Sequence, residues 1–172
     1  MAIARAQIRE LTRSFRRTDE LLLNLDGYLR DNAPPRQGMS LLVAVYDRRD
    51  RILEYSAAGH PFPLLLRGGD TSHLPGRPGI LLALPFMLDK GYPRGETELA
   101  SGDRLLFYTD GLFEVATDPI GVQLGPAGLA TLFREVIDGG GGTPLHDLLA
   151  RVAAADVNDA ADDDRTALLT IP

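Results

Sequence analysis

At 172 residues, 44% of them hydrophobic, the chain has the length of one domain and enough apolar material to bury a core. Eighteen basic against twenty-four acidic side chains leave a formal charge of -6, which disfavours nucleic acid or an anionic membrane as the main partner and suits a bound cation better. Without cysteine there is no disulfide, thiolate metal site or thiol nucleophile, and no apolar run approaches a membrane span or signal-peptide core, so a cytoplasmic location is expected.

Ala4, Ile8, Leu11 and Phe15 recur at helical spacing, with Arg5, Arg9, Arg13 and Arg16 between them, which predicts an opening amphipathic helix with a solvated cationic face. Thr18 is placed to cap a second helix, with Asp19 and Glu20 in its first turn and Leu21, Leu25 and Tyr28 or Leu29 on its inner side. From Leu41 the period changes. LLVAVY, ILEYSA, FPLLLR, ILLAL and RLLFYT are short, rich in β-branched or aromatic residues and separated by Gly, Pro and Asp, which predicts strands. Their connections are too short for crossover helices, so antiparallel pairing is expected. Leu41 to Tyr46 and Leu105 to Tyr108 are apolar on both alternating faces and should be covered on both sides. The covers would be the opening helices and two later ones. GPAGLATLFREVI offers Leu129, Leu132, Phe133 and Val136; TPLHDLLARVAAA offers Leu145, Leu148, Leu149 and Val152, with Thr143 capping and Pro144 first in the helix. Gly139 to Gly142 lack the Lys-Ser/Thr of a phosphate-cradling loop and read as a flexible linker. RTALLTI closes the chain as a strand, directly after DAADDD. Residues 1–172 are expected to form a single domain of α+β class.

Two acidic features sit at strand ends: Asp110, leaving LLFYT, and Asp162, Asp163 and Asp164, entering TALLT. Each has an ordinary reading. Asp110-Gly111 is a strong turn dipeptide, and acidic residues before a final strand are commonly solvated loop. If the two strands are neighbours, however, the carboxylates meet at one rim. Oxygen-only ligands there suit Mg²⁺ or Mn²⁺, and a cation relieves their mutual repulsion.

The order and wording of three segments resemble the PP2C-type metal-dependent serine/threonine phosphatases, in particular the sporulation stage II E and RsbU-like branch. They are LEYSAAGHPFPLLLR (Leu53 to Arg67), similar to the branch's Asn-Ala-Gly-His-Pro segment, GDRLLFYTDGLFEV (Gly102 to Val115), and DDDRTALLTI (Asp162 to Ile171), similar to its closing Asp-Asp-x-Thr strand. The resemblance implies an α-β-β-α sandwich of two antiparallel sheets flanked by helix pairs. By position, Asp110 and Asp163 resemble the family's metal-binding aspartates, with Asp164 as neighbour. Gly111 would let the backbone turn beneath the metal, and Gly59 and His60 would support the site. In the family two Mn²⁺ or Mg²⁺ ions share a water or hydroxide that attacks phosphorus in line, with no phosphoenzyme. The implied substrate is a phosphoserine or phosphothreonine on an anti-anti-sigma-type regulator; no substrate-binding residue is identified.

The sequence departs from the family in one respect that matters. The first acidic motif, Gly-Asp-x-x-Gly-x-Gly, is absent, and the chain begins inside what looks like the helix that follows it. The resemblance therefore implies an incomplete metal site and a weakly active or inactive chain, and a phosphatase-like module that binds a phosphorylated regulator without turnover stays open beside the catalytic reading. The strands that accompany the motif are absent too, which predicts an exposed sheet edge and a homodimer or strand exchange through it. GRPGILLAL departs from the family's Pro-Leu-Gly turn. His60 could act as a general acid, but its place between Gly59 and Pro61 favours a structural role. His73 and His146 read as surface residues, and Arg67 and Arg77 as solvated or as contacts for a substrate phosphate. A haloacid-dehalogenase site fails, because its nucleophilic aspartate would fall at Tyr108.

Overall fold

The computed structural model of the protein describes residues 2–14, 16–32, 38–84, 91–140, 142–157 and 164–170. Its fold is α+β, with two antiparallel sheets and two helix pairs divided between two compact units: Met1–Phe62 with Leu74–Ala100, and Pro63–His73 with Ser101–Pro172.

In the first unit, helices α1 (Ala2–Ser14) and α2 (Thr18–Asn32) accompany a sheet of β1 (Leu41–Asp47), β2 (Ile52–Ala58) and β5 (Arg94–Glu98), in the order β1-β2-β5. The helical periodicity places Leu11, Leu21, Leu22, Leu25 and Leu29 in a core shared with Ala58, Leu82 and Tyr92. Thr18 is the first helical residue rather than the cap: the Arg17 carbonyl accepts the Leu21 N–H at 3.1 Å. The N–H and hydroxyl of Thr18 both donate to Glu54 Oε1 of β2, at 2.6 and 2.9 Å, so a carboxylate from the sheet caps the positive end of α2. The other oxygen of Glu54 accepts from Arg94 of β5 at 3.2 Å.

Two further expectations for this unit are corrected, and one strand lies outside them. β1 is only partly covered: it is an outer strand of its sheet, none of its residues is fully buried, and Val45 is 49% exposed. β5, RGETE, is a strand that apolar patterning does not mark. ILLAL is not a strand: Gly79 and Leu82 make single bridges to Ala58 and Met39, and Ala83 has φ 61. A buried carboxylate holds this irregular segment, since Asp26 of α2 accepts the Ala83 N–H at 2.8 Å and pairs with Arg30 at 3.3 Å.

In the second unit the sheet order is β4-β3-β6-β7, with β3 at Leu64–Arg67, β4 at Asp70–His73, β6 at Arg104–Tyr108 and β7 at Ala167–Thr170. Leu64 lies opposite Leu106, so the two share a face, and that face packs into a core with Leu129, Phe133 and Val136 of α3 (Gly125–Asp138) and Leu148 and Val152 of α4 (Pro144–Ala155). Leu65 and Leu105, on the opposite face, are buried as well. Thr143 caps α4 and Pro144 opens it, as expected; the Thr143 carbonyl accepts the Asp147 N–H while its side chain makes no capping bond, and Leu149, assigned to the inner face, is 37% exposed.

Arg67 is not a freely solvated arginine. Its Nε and Nη2 donate to both oxygens of Asp103, at 3.0 and 2.6 Å, and Asp103 is only 2% exposed. His73, expected at the surface, does have much of its residue exposed, but its Nε2 lies 2.8 Å from the Tyr108 hydroxyl. Burial lowers the His73 pKa and pushes that of Tyr108 up to about 12.

Two measurements check these placements. In denaturant titrations Arg67→Met is expected to cost about 3 kcal/mol, because Asp103 stays out of water without that cation. Asp103→Asn should cost less, about 1–2 kcal/mol, because water can reach the half-exposed guanidinium. A histidine with a folded pKa below its unfolded value of about 6.5 binds fewer protons folded than unfolded. Its stabilising contribution is therefore present above about pH 6.5 and lost as pH falls through the folded value. An imidazole NMR titration of His73 should give a midpoint below about 6.5, and His73→Gln should flatten the loss of unfolding free energy over that window.

Candidate functional site

The end of β6 is built as a fixed platform. Tyr108 is buried, with its ring edge-on to Phe113 at 6.0 Å and 82°, and Leu112 is fully buried two residues after Asp110. Between these anchors Thr109 is extended and Asp110–Leu112 form one 3-10 turn, closed by the Leu112 N–H on the Thr109 carbonyl at 3.1 Å and the Phe113 N–H on the Asp110 carbonyl at 2.9 Å. Asp110 itself is exposed at this rim. Its Oδ1 accepts the Gly111 N–H at 3.2 Å, and among the described residues no cationic side chain pairs with it. The turn-dipeptide reading of Asp110-Gly111 is thus correct as local structure, and the same geometry leaves the carboxylate available.

The approach to β7 is fastened to this platform. β6 and β7 pair antiparallel, Tyr108 opposite Ala167, as the meeting of the two acidic features requires. Beyond that register the Thr109 N–H donates to the Thr166 carbonyl at 3.1 Å. The Thr109 hydroxyl accepts the Thr166 N–H at 3.0 Å and donates to the Asp164 carbonyl at 2.7 Å. Arg165 pairs with Asp156 at the end of α4, which ties the same segment to the helix.

Gly111 serves a purpose other than the expected one. It sits inside the 3-10 turn without a positive φ, and a Cβ there would come within 2.9 Å of the Asp164 carbonyl. Its missing side chain is what allows the two backbones to approach.

Asp110, Gly111 and Asp164 therefore share one rim of the second unit. Asp162 and Asp163 lie outside the described residues. Gly59 and His60 belong to the first unit, where they form a tight turn. Gly59 has φ 64, its N–H donates to the Gly79 carbonyl at 2.7 Å, and an added Cβ would come within 2.3 Å of Leu81. His60 Nδ1 is 2.8 Å from the Pro61 carbonyl, a contact within the same turn. His146 is exposed.

Carboxylate oxygens on a rigid rim fit a hard divalent cation in kind. Among the described residues, which do not include Asp162 and Asp163, no group of three or more His, Cys, Asp or Glu side chains is placed to hold a metal. The sequence reading missed Thr109 as the fastening residue and the Arg67–Asp103 pair. The first gives no sequence signal beyond a threonine beside the aspartate. The second was recoverable, since an arginine ending one strand and an aspartate preceding its antiparallel neighbour are brought together by the Leu66–Arg104 register.

The sequence model of the Stage II sporulation protein E (SpoIIE) family matches residues 1–171. Among solved structures, the RsbU and RsbW domains of Rv1364c from Mycobacterium tuberculosis superpose with a TM-score of 0.74 at 24% identity, over 98% of this chain and 45% of that one. The SiaA-PP2C domain of Pseudomonas aeruginosa gives 0.82 at 22% identity, over 98% and 66%. The phosphatase domain of the cell fate determinant SpoIIE from Bacillus subtilis gives 0.56 at 15% identity, over 98% and 72%. These identities establish a shared fold, and the chain spans less than two thirds of the first two structures. On the match along nearly its whole length, the chain belongs to the SpoIIE family, and it shares the fold of the SiaA-PP2C domain.

Proposed function

We propose that the rim at the end of β6 is the hydrolytic centre of a metal-dependent serine/threonine protein phosphatase. The observation that carries this reading is the exposed Asp110 carboxylate, with no cationic partner among the described residues, on a turn whose backbone is fastened to Asp164. Asp110 and Asp163, with Asp164 as a less favoured neighbour, would hold Mn²⁺ or Mg²⁺ through carboxylate oxygens. Such a cation, when bound, supplies a Lewis acid and a water of lowered pKa. The chain's own residues contribute rigidity: Tyr108 and Leu112 anchor the turn, Thr109 fixes the approach to β7, and Gly111 leaves room for it. Lacking cysteine, the chain has no route through a phosphocysteine.

Family membership supports a phosphoserine or phosphothreonine on an anti-anti-sigma-type regulator in the cytoplasm as the substrate. Among the described residues no helix is long and apolar enough to cross a membrane. A homodimer paired along β1 belongs to the same proposal, supported by that strand's outer position and the exposed Val45. Beside the catalytic reading stands a second reading, in which the chain binds the phosphorylated regulator without turnover.

With Mn²⁺ added, the protein is expected to hydrolyse p-nitrophenyl phosphate, and Asp110→Asn should remove both the rate and any Mn²⁺-induced rise in melting temperature. No Mn²⁺-dependent rate from folded protein would overturn the catalytic reading, and retained binding of a phosphorylated regulator would then select the second. Gly111→Ala pushes a Cβ against the Asp164 carbonyl and should lower the Mn²⁺-dependent rate per folded molecule by about 10- to 100-fold, as expected for a misplacement on the ångström scale.

A further inference from the structure

The outer edge of the second unit's sheet carries a groove with a different chemistry. β4 is the outermost strand there, so one row of its backbone N–H and C=O groups faces no other strand among the described residues. Its sequence, Asp70-Thr71-Ser72-His73, contains none of the lysines or prolines that commonly blunt such edges. Beside it α3 turns Leu129, Phe133 and Val136 into the core, while Pro126, Ala127, Ala130, Thr131 and Arg134 form an adjacent ridge at helical spacing. The alanines make this ridge low, and a groove of about 530 Å³ runs between it and β4, with Leu64 and His73 in its lining.

The charge on the groove is uneven. Arg134 is exposed and has no carboxylate partner among the described residues, whereas the adjacent Glu135 is paired with Arg151 at 2.9 Å. Asp70 also lines the groove and disfavours a run of acidic groups in an occupant.

We propose that this groove docks an extended segment of a partner protein. The segment adds as a further strand on β4, with an apolar side chain over Ala127 and Ala130 and a single acidic side chain against Arg134. Strand addition supplies main-chain hydrogen bonds, and alternate side chains, which fall on one face, supply selectivity. Four residues of β4 span about 13 Å, so the recognised core is about four residues long. The inference does not depend on hydrolysis at the carboxylate rim.

The test is an NMR titration of the full chain, without metal or phosphate. The probe is a blocked hexapeptide of alternating threonine and valine with one central glutamate; two controls carry lysine or proline in its place. Saturable shifts confined to β4 and the α3 ridge are expected. The lysine peptide should bind about fivefold more weakly, in the range of one exposed charge pair, and the proline peptide should not saturate. Ala127→Trp, at an exposed position, should fill the groove and abolish binding, and Arg134→Glu should reverse the preference between glutamate and lysine. The proposal is overturned if shifts do not saturate, if they lie away from β4, if the two charged peptides bind alike, or if either variant behaves as the parent protein.

Discussion

The hydroxyl of Thr109 governs the geometry of the carboxylate rim. It accepts from the Thr166 N–H and donates to the Asp164 carbonyl, so one oxygen satisfies two backbone groups just where the β6–β7 ladder ends. The pairing it extends cannot slip by a single residue, because a slip would turn every side chain of β7 to the opposite face. The position of Asp164 relative to Asp110 is therefore a property of strand register, reinforced by a side chain that itself holds no charge. Valine has nearly the same shape as threonine but offers neither the donor nor the acceptor, so shape alone does not explain what this position does.

Several acidic side chains have structural work that the net charge of -6 does not disclose. Glu54 caps α2 and holds Arg94, Asp26 fixes Ala83, Asp103 receives Arg67, and Asp156 receives Arg165. In each case a carboxylate joins segments far apart in the chain, or joins regular structure to an irregular stretch. Part of the acidic complement thus serves as staples of this kind, which position in the fold reveals and composition does not.

Much of the architecture was legible because burial leaves a periodic trace. Leu21, Leu25 and Leu29 on α2, Leu129, Phe133 and Val136 on α3, and the apolar run of β6 all announced their elements. β4 and β5 left no such trace: DTSH and RGETE are edge strands made of polar residues. ILLAL misled for the opposite reason. Leu82 is in the core, but the backbone around it makes single bridges and turns left-handed at Ala83, and hydrophobicity reports burial rather than hydrogen-bonding pattern. At the rim, the pairing of the strands that carry Asp110 and Asp164 could be anticipated from two acidic features at strand ends. The fastening by Thr109 and the close approach at Gly111 could not, because both depend on where a second backbone passes.

The second unit is discontinuous in sequence: Pro63–His73 contributes β3 and β4, and the remainder begins at Ser101. On the ribosome the β3–β4 hairpin emerges well before β6, the strand that pairs with the other side of β3. Until Arg104–Tyr108 has been made, a nascent chain exposes two leucine-rich faces, Leu64 and Leu66 on one and Leu65 on the other, all of which end up buried. A two-stranded hairpin is marginally stable by itself, and closing the intervening loop carries an entropic cost. Completion of this unit must therefore wait for its C-terminal half, and in that interval the leucines of β3 lack the strand that covers them in the folded chain.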